Sequence, residues 1–181
     1  MAGSALVLIG FMGTGKSSVG RAVAERLRLP RFDTDELVSA RFGLPISAIF
    51  EQFGELDFRA AEQQVLAEVD GKEPAVVVTG GGILLRAQNV ERCRQLGVIA
   101  HLTADEQTIF DRVSRRPSRP LLQSENPRAR MCELLAQRLP LYRALADFEI
   151  NTGGLTHAEA ADALIAGWNT AATPSDRKVC K

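Results

Sequence analysis

The 181-residue chain carries no excess charge of either sign, with Lys and Arg totalling 22 and Asp and Glu also 22. A balanced chain sets up no global field for nucleic acid or an anionic membrane, and no basic stripe interleaved with aromatics is present. Long apolar runs are missing too, since none approaches the roughly 20 residues a membrane span needs. Ala5–Ile9 gives way to glycine at once, so no secretory leader is expected. Cysteine is scarce and odd in number: Cys93, Cys132 and Cys180 share no short spacing, which argues against a disulfide framework or a zinc site and for a reducing cytoplasm. Internal repeats and low-complexity segments are absent. What remains is 45% apolar and 24% charged residues, the make-up of one soluble domain with a substantial core.

Short apolar runs set the architecture. Ala5–Ile9 reads as a strand buried on both faces, as do Ala75–Thr79 and Val98–Leu102, with Arg31–Asp33 and Phe148–Asn151 as shorter strands. From Lys16 to Arg28 the spacing is helical, with Val19, Val23 and Leu27 on one face and Arg21, Glu25 and Arg28 on the other. Further helices are expected over 34–42, 46–53, 55–69, 87–96, 105–115, 128–145 and 156–170. Alternating strands and helices predict an α/β three-layer sandwich around a five-stranded parallel sheet, with one domain over residues 1–172. Arg115–Pro127 holds three prolines and should be an irregular, exposed segment, and the polar stretch 173–181 a frayed, flexible tail.

Gly10-Phe-Met-Gly-Thr-Gly-Lys16-Ser17 matches G-x-x-x-x-G-K-[ST] in the required context, after a buried strand and opening a helix. Glycines let the backbone close around an anion so that successive N–H groups point inward, and the helix adds its positive end. Met12, Gly13, Thr14 and Gly15, with Lys16, Ser17 and Ser18, are therefore the expected nucleotide contacts. Lys16 is expected to reach the β- and γ-phosphates and Ser17 to offer its hydroxyl to Mg²⁺. The motif implies a P-loop NTPase-type fold and a nucleoside triphosphate, with ATP and Mg²⁺ as the expected pair.

Two further absences narrow the class. No Asn-Lys-x-Asp guanine reader is present, and the strand at 75–79 runs into Thr79-Gly-Gly-Gly82 with no acid. The nearest acids after a strand are Asp33 and Asp35 in Phe32-Asp-Thr-Asp35. Asp33 can orient metal-bound water, and Asp35 can accept a proton from a substrate hydroxyl. The same spacing also suits a turn or a helix N-cap.

From here the sequence resembles the shikimate kinase family over about residues 5–152. The resemblance rests on Gly10–Ser17, Asp33-Thr-Asp35, Ile49-Phe50 with Gly54-Glu55 and Phe58-Arg59 plus Glu62, Thr79–Gly82, Arg119-Pro-Leu-Leu122, and Arg138 with Pro140-Leu-Tyr142. It implies transfer of a phosphoryl group from ATP to the 3-hydroxyl of shikimate, in aromatic amino acid biosynthesis, by a cytoplasmic monomer without nucleic-acid or membrane partners. Shikimate carries a carboxylate and three hydroxyls. Arg59 and Arg138 stand where the family holds that carboxylate, and guanidinium forks suit it. Gly80, Gly81 and Gly82 expose backbone to a ligand hydroxyl, although a triple glycine also suits a flexible turn. Glu62, one turn from Arg59, is expected to steady it. By resemblance Asp35 contacts the hydroxyls and serves as base or orienting carboxylate.

The resemblance also assigns a substrate-binding segment (about 33–62) and a mobile basic lid (about 113–127). In the lid Arg119 reaches the phosphates, and just before it Arg112 packs against adenine. Leu155, in Gly153-Gly-Leu155, can lie against the base. The chain departs from the family at Ala144, where a Glu is common. His101, in an apolar strand, reads as structural, His157 as part of the last helix's first turn, and Trp168 carries no chemistry. Phe50, Phe53 and Phe58 suit a pocket wall or a core. Kinases of gluconate or nucleoside monophosphates would want a different acceptor set, and a regulatory module without catalysis would be expected to lack Lys16, Asp35 or Arg119.

Overall fold

The computed structural model describes residues 3–115, 120–122 and 124–172. In chain order they form β1 (Ala5–Ile9), α1 (Lys16–Leu27), β2 (Arg31–Asp33), α2 (Thr34–Phe42), α3 (Ile46–Glu68) and β3 (Val76–Val78). Then come α4 (Ala87–Leu96), β4 (Gly97–Thr103), α5 (Glu106–Ser114), α6 (Pro127–Leu145), β5 (Phe148–Asn151) and α7 (His157–Ala172). Short 3₁₀ turns at Ile83–Leu85 and Pro120–Leu122 fall where no element is read from the sequence, because a three-residue turn leaves no periodic trace. The α3 span is broken at Gly54 (φ 79°, ψ 175°), so the expected pair of helices meets end to end there.

The five strands are parallel in the order β2-β3-β1-β4-β5. Because successive side chains of a strand point to opposite faces, β1 feeds both cores at once. Ala5, Val7 and Ile9 join Leu66, Cys93, Leu96, Met131 and Tyr142 from α3, α4 and α6. Leu6 and Leu8 join Val19 and Val23 of α1 and Leu164 of α7. All five β1 side chains have no solvent exposure, which is why the strand reads as an unbroken apolar run. A satellite core, Val38, Ile49, Phe58, Ala61 and Val65, ties α2 to α3.

Two expectations change. Leu121 and Leu122, inside the segment read as exposed, pack on the main core, where Leu122 is buried. Leu27, at the end of the apolar face of α1, is 36% exposed. Arg119 and the tail 173–181 lie outside the described residues.

Helix α1 lies close on the sheet at Gly20, where a Cβ would stand 2.6 Å from Val78 Cγ2 and 3.0 Å from Leu8 Cδ1. Helix propensity alone favours alanine there by about 1 kcal/mol. Overpacking against a stiff β-branched neighbour opposes it. Gly20→Ala is expected to lower stability by about 1 kcal/mol in urea unfolding, the sign opposite to that of propensity.

Candidate active site

The loop after β1 holds its shape through backbone conformations that side chains rarely adopt. Gly13 (φ 82°) and Gly15 (φ 90°) take left-handed values. Gly10 is barred from any side chain by the Leu102 carbonyl. Lys16 is buried, its Nζ donating to the carbonyls of Gly10 and Phe11 at 2.8 Å each. Thr14, an expected contact, turns inward instead: its hydroxyl donates to the Phe11 carbonyl at 2.8 Å and its side chain is buried. Ser17 and Ser18, with Met12, Gly13, Gly15 and Lys16, line a cavity of about 310 Å³ that runs on to Arg112, Leu155 and His157.

The far end of that cavity is tied to the loop by Thr152. Its hydroxyl lies 2.9 Å from the Thr14 carbonyl and 3.1 Å from that of Thr103. Arg112 donates to Thr152 Oγ1 (3.0 Å), to the Thr152 carbonyl (2.8 Å) and to the Gly13 carbonyl (3.3 Å). The two ends of the cavity are thus one hydrogen-bonded unit. Thr156 and Glu159 cap α7 reciprocally, Thr156 N and Oγ1 each donating to Glu159 Oε2 at 2.8 Å, and this brings His157 to the cavity wall.

A second cavity, of about 100 Å³, opens beside the first. Arg59, Arg138, Phe50, Phe58 and Gly80–Gly82 line it, and it shares Met12, Asp35 and Gly81 with the larger one. Phe50 and Phe58 therefore serve as core and wall together, whereas Phe53 is 45% exposed and packs on Phe42.

The charges of this second cavity are buried and matched. Arg59 donates from Nη1 to Glu62 Oε2 at 2.7 Å, and from Nε and Nη2 to Glu55 Oε1 at 3.2 and 3.1 Å. Burial pulls the Arg59 guanidinium down, but Glu62 and Glu55 outweigh it and leave its pKa raised. Glu62 has no exposed surface, and burial lifts its carboxyl above the usual range, while Arg59 opposes that and Asp35 adds to it. Among the described residues Glu62 Oε1 has no hydrogen-bond partner. A Cβ on Gly80 would collide with that oxygen and stand 2.7 Å from Asp35 Oδ1, so glycine alone lets both carboxylates approach. Arg138 is buried and donates to the Gly81 carbonyl at 3.2 Å.

The two aspartates differ in place. Asp33 is the N-cap of α2, accepting from Asp35 N at 3.1 Å, and it pairs with Arg31 at 3.2 Å. Asp35, two residues further on in the first turn of α2, lines both cavities. Of the three glycine amides expected to meet a ligand, that of Gly80 is already engaged, donating to Thr34 Oγ1 at 2.9 Å. His101 is buried in β4, lies 2.8 Å from Glu149 Oε2 and stacks on Tyr142, in keeping with a structural part.

The sequence assigns no role to Thr34, Glu55, Thr79, Tyr142 or Thr152, although all but Thr152 stand in the strings that carry the family resemblance. The Arg59–Glu55 spacing of four on one helix was the available signal for one of them. The others act across 46 to 138 residues of chain, as in Gly80–Thr34 and Thr152–Thr14, and leave no local pattern.

The sequence model of shikimate kinases matches residues 12–168. The chain belongs to the shikimate kinase family. Relatives include a shikimate kinase of Thermodesulfovibrio yellowstonii, 48% identical over 160 residues, 88% of this chain and 92% of that one. Another, from Ralstonia nicotianae, is 46% identical over 88% of this chain and 84% of its own. The solved structure of a shikimate kinase from Acinetobacter baumannii in complex with shikimate superposes with a TM-score of 0.85, at 36% identity over 90% of both chains. The shikimate kinase reading of the fold is thus matched in topology as well as in sequence.

Glu62→Ala would leave Arg59 buried with Glu55 as its remaining acid. Breaking such a pair costs about 3 kcal/mol, expected as a lower unfolding midpoint in urea. Glu62→Gln, which keeps one acceptor for Nη1, should lose less than half of that.

Proposed function

We infer that the chain is a shikimate kinase that transfers the γ-phosphoryl group of ATP to the 3-hydroxyl of shikimate. The observation that carries this reading is the junction of the two cavities at Met12, Asp35 and Gly81. One cavity has the loop chemistry of a triphosphate site. The other is small, holds two buried guanidinium groups for a carboxylate, and meets the first at a carboxylate suited to a hydroxyl.

ATP takes the larger cavity, with its phosphates in the loop 10–17, and Lys16 exchanges carbonyl partners for the β- and γ-phosphates. Ser18 adds its hydroxyl near the phosphates. Arg112 and Leu155 flank the base. Arg59 and Arg138 take the shikimate carboxylate and so fix which hydroxyl reaches the γ-phosphate. Asp35 orients that hydroxyl and accepts its proton as the O–P bond forms and ADP leaves. The exposed Ser17 hydroxyl beside the loop fits Mg²⁺, a hard cation that needs few protein ligands when phosphates supply the rest. Asp33, with both oxygens already engaged by Asp35 N and Arg31, fits only through water. When bound, the ion neutralises charge developing on the transferring group. Arg119, which lies outside the described residues, is assigned to the phosphates by the family resemblance, within a lid that excludes water. Transfer takes place in the cytoplasm on a monomer.

ADP release should depend on shikimate and Mg²⁺, with no turnover on gluconate or nucleoside monophosphates. A coupled assay over that panel checks it, and the absence of shikimate-dependent turnover would remove the assignment. Asp35→Asn is expected to cut kcat by about 10²–10⁴-fold while ATP still binds, as read by calorimetry; a normal kcat would remove Asp35 from its role.

A further inference from the structure

The peptide joining Gly81 to Gly82 is flanked by glycine on both sides, so no Cβ resists its rotation. In a planar trans peptide the carbonyl and the following N–H point opposite ways. Fixing the Gly81 carbonyl therefore fixes the direction of the Gly82 N–H. Gly82 sits at φ −107°, ψ 6°. Turning the peptide over would carry its φ to positive values, which glycine accepts freely. Neighbouring groups are already committed: Gly80 N to Thr34 Oγ1, the Gly80 carbonyl to Ile83 N at 3.1 Å and the Gly82 carbonyl to Leu85 N at 3.1 Å. Among the described residues the Gly82 N–H has no hydrogen-bond partner.

Two donors hold the Gly81 carbonyl, Arg138 Nη1 at 3.2 Å and the Tyr142 hydroxyl in a short contact. They are not equivalent. Arg138 lines the acceptor cavity, and on the proposed function it turns to the substrate carboxylate. Tyr142 is 1% exposed and has nowhere to turn, because its ring stacks on His101 at 5.2 Å and His101 is in turn held by Glu149. Burial pushes the phenol up to about 12, so it remains a donor at any ordinary pH. The same His101 ring lies 3.3 Å from where a Gly10 Cβ would stand, so the support of the acceptor loop abuts the start of the phosphate loop.

We propose that Tyr142 is a positioning residue whose hydroxyl pins the Gly81 carbonyl and thereby fixes the direction of the Gly82 N–H on the wall of the acceptor cavity, where it is to meet an anionic or hydroxyl oxygen of the substrate. The assignment of the cavity to shikimate rests on the proposed function; the orientation of the peptide does not.

Tyr142→Phe removes the hydroxyl and keeps the stacked ring. In ¹⁵N-glycine spectra of the whole protein, the Gly82 amide should be a single sharp resonance in the wild type and broadened or doubled in the variant. The KM for shikimate should rise about tenfold, the loss of one buried hydrogen bond, with the KM for ATP unchanged. Unmoved Gly80–Gly82 resonances overturn the proposal whatever the kinetics. So does an unchanged KM for shikimate, and so do equal rises in both KM values, which mark a general loosening. If the wild type has no shikimate-dependent turnover, the assigned function fails, while the amide spectra still decide the part played by Tyr142.

Discussion

Three parallel strands end at one level, and everything at the site hangs from that register. Leu8 of β1 pairs with Val78 of β3, and Val78 pairs with Asp33 of β2. The next residues along each strand therefore emerge side by side: the glycine loop, Thr34-Asp35 and Thr79–Gly82. Cross-links then lock the three loops together. Thr79 donates to the Leu8 carbonyl from its amide (3.1 Å) and its hydroxyl (2.9 Å), and Gly80 N donates to Thr34. Ligands of α/β sheets bind at this carboxyl edge because only there do successive loops converge. A slip of one residue between β1 and β3 would turn one of the two strands inside out and separate the phosphate loop from the second cavity.

The second cavity is a study in charge kept out of water. Two acids, Glu62 and Asp35, and two guanidinium groups, Arg59 and Arg138, share a region where Glu62, Arg59 and Arg138 are all buried. An isolated charge there would be prohibitively costly, so each is answered by a neighbour or a carbonyl. The mutual pull fixes the guanidinium planes before any ligand arrives, and a carboxylate entering such a place meets donors that need little rearrangement.

Much of this was legible in the chain. Fully buried strands announce themselves as apolar runs, and the phosphate loop is a contiguous string whose chemistry is local. Asp35 was readable as an acid just past a strand, whereas Arg59 and Arg138 emerged through the family resemblance, each inside a short motif. Asp33 shows the limit: the spacing in Asp-Thr-Asp suits a helix cap as well as a metal site, and of the two it is the cap that can be seen directly. Thr34, Tyr142 and Thr152 escaped because their partners are 46, 61 and 138 residues away, and only the topology brings them together. Leu121 and Leu122 were misread for the opposite reason. A local signal, prolines among polar residues, outweighed two apolar side chains that the core could reach.

The break in α3 at Gly54 builds one wall of the second cavity from two helix halves. Ile46 and Phe50 come from the half before it, Phe58 and Arg59 from the half after it. A Cβ there would touch nothing, so the glycine is required by its backbone angles alone. The angle at which the two halves of that wall meet therefore turns on the two dihedrals of a single residue. That makes it a hinge pin: a change at this one position alters the shape of the cavity while leaving every group that lines it in place.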